Sequence, residues 1–256
     1  MFYHVNGLDL HVEEQGQGDT ALVFLHFYGG STRTWSKMID VLKEEHRCIA
    51  YDQRGWGSSD KSATSYTIED LADDAHALIQ ELGLKSYVLV GHSMGGKAAQ
   101  LLASRNPSGL EALILVAPSP PSPQNMPQEL RNAMVHFYDN REGAEIALSN
   151  LALLPLEEHI REMVLEDMQN SAPLARAAWP KTAMQEDISA EVKNINVPTL
   201  VLAGESDPVD RLESMTSKLL PRIPHAELHV ISQTGHLSPL EVPDRLCEKI
   251  SRFLSE

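Results

Sequence analysis

Apolar residues in this chain fall into two alternating patterns. Short, nearly unbroken apolar runs recur at Ala21 to His26, Arg47 to Tyr51, Tyr87 to Val90, Ala112 to Val116, Thr199 to Ala203 and Glu227 to Ile231. Runs of this length without a polar face predict strands buried on both sides, as in a parallel sheet. Ahead of them, Asn6-Gly7 reads as the tight turn of an opening hairpin whose second arm runs from Asp9 to Glu13. Between the runs, apolar residues repeat at helical period. In the clearest case Ile68, Leu71, Ala72, Ala75, Leu78, Ile79 and Leu82 share one face, with Thr67 placed to cap the start and Gly83 to close the end. Strands alternating with helices predict an α/β fold, here a mostly parallel eight-stranded sheet with helices on both faces.

The alternation breaks between Pro118 and Val197. Pro118-Ser119-Pro120-Pro121-Ser122-Pro123 can continue neither a helix nor a sheet. Beyond it the pattern is helical over Gln128 to Tyr138, Arg141 to Leu153, Leu156 to Met168 and Leu174 to Trp179, and Val197-Pro198-Thr199 then restarts a strand. The expected organisation is a core of residues 1–118 and 192–256 carrying a helical cap, or lid, insertion at 119–191.

Composition narrows the picture without changing it. A chain of 256 residues, 42% of them hydrophobic, suffices for one domain with a sizeable insertion. No apolar stretch is long enough to cross a bilayer, and Met1-Phe2-Tyr3-His4-Val5-Asn6 has no basic segment leading into an apolar core. Cys48 and Cys247 fit no metal or redox spacing and read as reduced, packed thiols of a cytoplasmic protein. A formal charge of −15 argues against nucleic acid or an anionic membrane as partner and leaves a small-molecule substrate.

The candidate chemistry starts at Gly91-His92-Ser93-Met94-Gly95, which lies between the apolar run Tyr87 to Val90 and the helical run Lys97 to Leu102. A strand turning abruptly into a helix strains its turn residue and lifts that residue's hydroxyl clear of the sheet, the arrangement of a nucleophilic serine. A serine needs a base, and the base an orienting acid. In an α/β sheet such groups gather in the loops after the strands. Those loops offer Asp207 in Gly204-Glu205-Ser206-Asp207-Pro208 and His236 in Ser232-Gln233-Thr234-Gly235-His236, giving the chain order Ser93, Asp207, His236. Asp210 is a competing carboxylate in the same loop, and Asp207 itself has an alternative use as a helix cap. His26 and His92 read as packing residues beneath the loops. His225 and His229 are spaced four apart, but on a strand, where that spacing does not bring two ligands to one metal.

With these motifs in hand, the chain resembles the α/β-hydrolase superfamily over nearly its whole length, in particular the esterase, lactonase and cofactor-free perhydrolase branch. The resemblance rests on the serine pentapeptide with Gly96, on Asp52-Gln53-Arg54-Gly55-Trp56-Gly57-Ser58-Ser59, on Gly204 to Pro208, and on Gly235-His236 with Glu241-Val242-Pro243. It implies Ser93 as nucleophile, His236 as base, Asp207 as its orienting acid, and structural roles for Asp52 and Arg54. It also implies an oxyanion hole made by the backbone amides of Met94 and Tyr28. Here the chain departs from the family: His26-Phe27-Tyr28-Gly29-Gly30 has Phe27 where glycine is usual. Phe27 and Tyr28 either serve the pocket or pack between the sheet and the insertion.

The implied reaction is acyl transfer to Ser93 followed by hydrolysis, with no metal or organic cofactor. A serine nucleophile argues against the alkyl-ester chemistry of dehalogenases and epoxide hydrolases, and Gly55-Trp56-Gly57 is not a dinucleotide fingerprint. Expected substrates are small to medium uncharged carboxylic esters or lactones. The same triad also serves perhydrolysis, haloperoxidase-like chemistry and carbon-carbon bond hydrolysis. A non-catalytic ligand-binding protein on this fold is a reading from another class, whose mark would be a missing triad member. Met126, Met134, Phe137, Tyr138, Met163, Met168, Trp179 and Met184 suggest an adaptable apolar lining. Trp179 and Phe27 are the pocket candidates.

Overall fold

A computed structural model describes residues 1–124 and 126–255. The opening hairpin pairs β1 (Phe2–Val5) with β2 (Leu8–Gln15) antiparallel around Asn6 and Gly7, both at positive φ. The remaining strands are β3 (Ala21–Leu25), β4 (Arg47–Tyr51), β5 (Tyr87–His92), β6 (Leu110–Val116), β7 (Thr199–Gly204) and β8 (Glu227–Ile231). They form one eight-stranded sheet in the order β1-β2-β4-β3-β5-β6-β7-β8, parallel from β4 to β8 and antiparallel at β1 and β2.

Period-two alternation divides each central strand between two cores. On one face Leu22, Phe24, Val88 and Val90 pack with Met38, Ile39 and Leu42 of α1 (Ser36–Leu42) and with Leu246, Cys247 and Ile250 of the C-terminal helix Pro243–Ser255. On the other, Val23, Leu25 and Leu89 meet Ile68, Leu71, Ala75 and Leu78 of α2 (Ile68–Glu81) and Ala98, Ala99 and Leu102 of α3 (Met94–Ser104). Helix α2 starts where its cap predicts: the Thr67 hydroxyl accepts from the Asp70 amide while Asp70 accepts from the Thr67 amide. Strand β8 departs from the expected double burial. It sits at the sheet edge with only Ile231 fully buried. Both cysteines are free and buried.

Among the described residues four α-helices lie between β6 and β7: α4 (Gln128–Met134), α5 (Arg141–Leu151), α6 (Glu158–Gln169) and α7 (Pro173–Lys181). The first ends four residues earlier than its apolar pattern suggests, because Tyr138 leaves the helix and buries its ring against the loop after β3. Polar ties fasten these helices to the sheet domain. The Asp167 carboxylate of α6 accepts from the Ser31 hydroxyl at 2.7 Å and from Arg33 Nε at 3.0 Å. Buried Lys97 of α3 donates to the carbonyl of Glu186 at 2.6 Å. With a desolvated ammonium held mainly by peptide oxygens, Lys97 is pulled down to about 8. Among the described residues no helix is long and apolar enough to cross a membrane.

Candidate functional site

Ser93 occupies the turn between β5 and α3 at φ 51° and ψ −113°, a conformation that costs a non-glycine residue free energy. Neighbouring glycines make the turn possible. A Cβ on Gly95 would lie 2.4 Å from the Leu25 carbonyl oxygen, and one on Gly91 would lie 2.7 Å from the Gly95 oxygen. Helix α3 therefore starts flush against the end of β3, with Ser93 at the carboxyl edge of the sheet. The Ser93 carbonyl accepts from the Lys97 and Ser119 amides, so its backbone is held from two sides.

The loops after β7 and β8 bring Asp207 and His236 together. Asp207 Oδ2 accepts from His236 Nδ1 at 2.7 Å, and both side chains are almost wholly buried. Asp207 caps no helix, because the next one starts only at Leu212 with Arg211 ahead of it; its Oδ1 instead holds a local turn, accepting from the amides of Val209 at 2.8 Å and Asp210 at 3.0 Å. The two uses do not compete, because each takes a different oxygen. Burial alone would raise the Asp207 pKa. The His236 imidazole and these two amides outweigh it and hold the carboxylate below its ordinary range. For His236, burial opposes the charged form, but Asp207, Asp210 and Glu241 together raise the imidazole above its ordinary value. With Nδ1 donating to a carboxylate, Nε2 is the free, basic nitrogen.

His26 and His92, expected to be packing residues, brace the loops through specific bonds. His92 Nε2 donates to the His236 carbonyl at 2.8 Å, and His26 Nε2 accepts from the Gln53 amide at 3.0 Å. Both rings are buried and held below their ordinary pKa, chiefly by desolvation, so they are neutral spacers. Asp52 and Arg54 take the structural parts expected of them. Asp52 accepts from the Thr32 and Ser58 amides, and Arg54 grips Asp74 through Nε and Nη2. His225 donates to the Val197 carbonyl and His229 lies 3.6 Å from Glu227. No cluster of three or more His, Cys, Asp or Glu suited to a metal occurs among the described residues.

The loop after β3 explains the departure at Phe27 and Tyr28. Phe27 turns under the loop against the His92 ring, at 5.1 Å between centroids. Tyr28 turns outward and stacks on Tyr138 at 5.0 Å and Trp179 at 6.4 Å, with Trp56 edge-on at 5.2 Å. Its hydroxyl donates to the Arg176 carbonyl of α7 at 2.8 Å, and the Tyr138 hydroxyl donates back to the Tyr28 carbonyl at 3.2 Å. Burial drives the Tyr28 hydroxyl pKa far above its ordinary value, so it stays protonated as a donor. Gly29, at φ 98°, leaves no room for a Cβ, which would lie 2.8 Å from the Tyr138 ring. The Met94 amide, first in its helix, has no carbonyl four residues back to bond.

Ser93 and His236 border one cavity of about 730 Å³, lined by Phe27, Tyr28, Met126, Leu130, Met134, Phe137, Tyr138 and Trp179 and by Pro208 to Arg211, Glu213, Ser214, Ser217 and Lys218. Both pocket candidates, Phe27 and Trp179, line it. Of the remaining residues expected to line a pocket, Met168 and Met184 are instead fully buried core, and Met163 packs half-buried against that core, away from the cavity lining. A cavity of about 850 Å³ lies among the starts of the strands, bordered by Thr20, Ser86, Glu111 and Glu227, and contains none of these groups. Sequence reasoning did not find Tyr138 as a support of the β3 loop, or the carboxyl of Asp210 with Gln124 in the cavity wall. Both arise from contacts between distant segments that leave no periodic trace.

A parallel sheet with a strained serine at its central strand end and a buried histidine-carboxylate pair in the neighbouring loops defines the α/β-hydrolase architecture. The chain belongs to the α/β-hydrolase fold family, whose model matches residues 20–168, more than half of its length. It is 26% identical to a 3-oxoadipate enol-lactonase of Acinetobacter baylyi over 232 residues, covering 89% of this chain and 86% of the relative. It is also 26% identical to a non-heme chloroperoxidase of Kitasatospora aureofaciens over 277 residues, covering 98% and 96%. Among solved structures, an esterase from Exiguobacterium antarcticum superposes with a TM-score of 0.92 at 24% identity, covering 100% of this chain and 99% of the other, a likeness of fold.

Proposed function

We propose that this protein is a serine hydrolase that cleaves small to medium uncharged carboxylic esters or lactones through an acyl-enzyme on Ser93. The observation that carries the reading is the strained Ser93 backbone at the start of α3, facing the same cavity as a buried histidine bonded to a buried carboxylate. In the proposed reaction His236 Nε2 takes the Ser93 proton as the hydroxyl oxygen attacks the carbonyl carbon. Asp207 fixes the tautomer and balances the imidazolium. The Met94 and Tyr28 amides receive the developing oxyanion. His236 then gives its proton to the departing alkoxide, and a water deprotonated by His236 releases the acid. Residues 119–191 act as a cap that shapes the pocket, with Trp179 and Phe27 on its wall.

The aromatic and methionine lining of the cavity supports an uncharged acyl or alkoxy group. A relative named as an enol-lactonase supports the same acyl chemistry. A second reading, peroxide-dependent acyl transfer, is favoured by the chloroperoxidase relative. The test is labelling with a fluorophosphonate, with turnover of p-nitrophenyl esters and lactones and peroxide-dependent bromination measured alongside. Covalent label on Ser93 with ester or lactone turnover is the expected result. An unlabelled, folded protein without turnover would replace the enzyme reading with that of a ligand-binding protein on the same fold.

A further inference from the structure

One carboxyl in the cavity wall takes no proton in this chemistry, although it helps to raise the His236 imidazole. Asp210 is 2% exposed, and its Oδ1 accepts from Gln124 Nε2 at 2.9 Å. Its Oδ2 has only the Ser119 hydroxyl, at a long 3.4 Å, and that hydroxyl already accepts from Gln124 at 2.7 Å. No Lys, Arg or His lies within ion-pair distance among the described residues, and the nearby Lys97 ammonium is spent on the Glu186 carbonyl. A carboxylate offers about four acceptor positions, and a buried one short of protein donors is costly. Burial accordingly raises Asp210 to about 7. A pin between the proline-rich segment and the loop after β7 needs only an acceptor for Gln124, which an amide supplies without that penalty. The carboxyl borders the cavity shared by Ser93 and His236.

We propose that Asp210, with Gln124, is a substrate subsite that accepts a hydrogen-bond donor carried near the scissile carbonyl, so that hydroxy- or acylamino-substituted esters and lactones are preferred over plain alkyl ones. The inference rests on Ser93 hydrolysis and narrows its substrate class. A donor from substrate fills the vacant acceptor position of Oδ2, while the hydrocarbon portion lies against Met126, Phe137 and Trp179. An analogue without the donor leaves the carboxyl unpaired in a site from which water has been displaced, and this mismatch sets the discrimination.

The experiment compares kcat/KM for matched pairs: p-nitrophenyl butyrate against its 3-hydroxy derivative, and γ-butyrolactone against its α-hydroxy and α-acetamido derivatives. In wild type the donor-bearing member of at least one pair is expected to be favoured about tenfold to a hundredfold, the range for a hydrogen bond to a charged or strongly polar acceptor. The hydroxy and acetamido arms distinguish an O–H from an N–H donor. In Asp210→Leu, checked for folding by circular dichroism, the ratio within the favoured pair should collapse toward one. Equal rates across every pair in wild type overturn the proposal without any variant, as does a preference that survives Asp210→Leu. Fluorophosphonate labelling of Ser93 run in parallel separates the two failures: label without discrimination defeats the subsite alone, and absence of label defeats the hydrolase reading beneath it.

Discussion

Replacing Gly95 with alanine tests how the serine turn is held. The added Cβ would lie 2.4 Å from the Leu25 oxygen and 2.6 Å from both the His26 oxygen and the Leu25 carbonyl carbon. All three atoms belong to the backbone at the end of β3, so no rotamer can yield. Relief requires α3 to withdraw from the sheet by about 1 Å to reach ordinary contact distance. Overpacking typically costs about 1–3 kcal/mol, and backbone pressed against backbone belongs at the upper end. At roughly 2–4 °C per kcal/mol for a chain of this size, Gly95→Ala should lower Tm by about 6–12 °C. The first turn of α3 carries Ser93 and the Met94 amide, so a shift of that size should also cost about 10²-fold in kcat/KM. Gly83→Ala is the control, because Gly83 has φ 64° but nothing within 4 Å of the place an added methyl would take. It should lose only the about 1–2 kcal/mol of left-handed strain and keep its turnover. The assay is calorimetric or fluorescence melting with ester kinetics on both proteins. A Gly95→Ala protein melting within about 2 °C of wild type, equivalent to about 1 kcal/mol or less, with unchanged kcat/KM would refute the close approach of α3 to β3.

Ser93→Ala and His236→Ala should each lower ester turnover by about 10⁴-fold or more, with the double variant little worse, as measured with traces of wild type excluded by fluorophosphonate pretreatment. Because His236 must be neutral to act as base and its pKa is raised above the ordinary 6.5, kcat/KM should fall on the acid side with a midpoint above that value; a midpoint below it would contradict the carboxylate environment of the ring. The same shift makes protonated His236 a stabilising group below pH 6.5, and that contribution should disappear as pH rises through the folded-state midpoint, which a comparison of Tm against pH for wild type and His236→Ala would show. Tyr28→Phe removes a hydroxyl bonded to Arg176 rather than to the reacting centre, so turnover should hold within about tenfold; a loss of about 10²- to 10³-fold in folded protein would make the hydroxyl an oxyanion donor. Trp179→Ala should shift chain-length preference across the ester panel, whereas a large fall in Tm with an unchanged preference would place this ring in the core alone.

The sheet was legible because its strands are short apolar runs with one outcome each. Ala21 to Leu25 cannot find a solvent face and so must be central. The meeting of Asp207 with His236 was legible for a related reason: parallel strands send their following loops to one edge, so position after β7 and β8 restricts the partners. Legibility failed where a residue is decided by a distant surface. Tyr138 continues the apolar pattern of α4, yet leaves the helix because the flat face of Gly29 and the ring of Tyr28 offer it more burial than another helical turn. Glu227 to Ile231 reads like an inner strand, but with no further strand beyond it the sheet ends there and four of its five residues are not fully buried. Asp210 and Gln124 lie 86 positions apart, and nothing local to either marks the other.

The exchange of hydrogen bonds between Tyr28, Arg176 and Tyr138 has a consequence for how such a protein can diversify. Two of its members are in the segment between β6 and β7, proposed above as a cap insertion, and one is in the loop that begins at the end of β3. An insertion grafted from a relative, or redesigned for a new substrate, would arrive without the carbonyl that Tyr28 donates to and without the ring that covers Gly29. The two parts are therefore not interchangeable modules. Successful transplants should be those that carry positions 27 to 30 along with the helices, and recombination libraries with a crossover at Pro118 should be depleted of active members unless that loop comes from the same parent as the insertion.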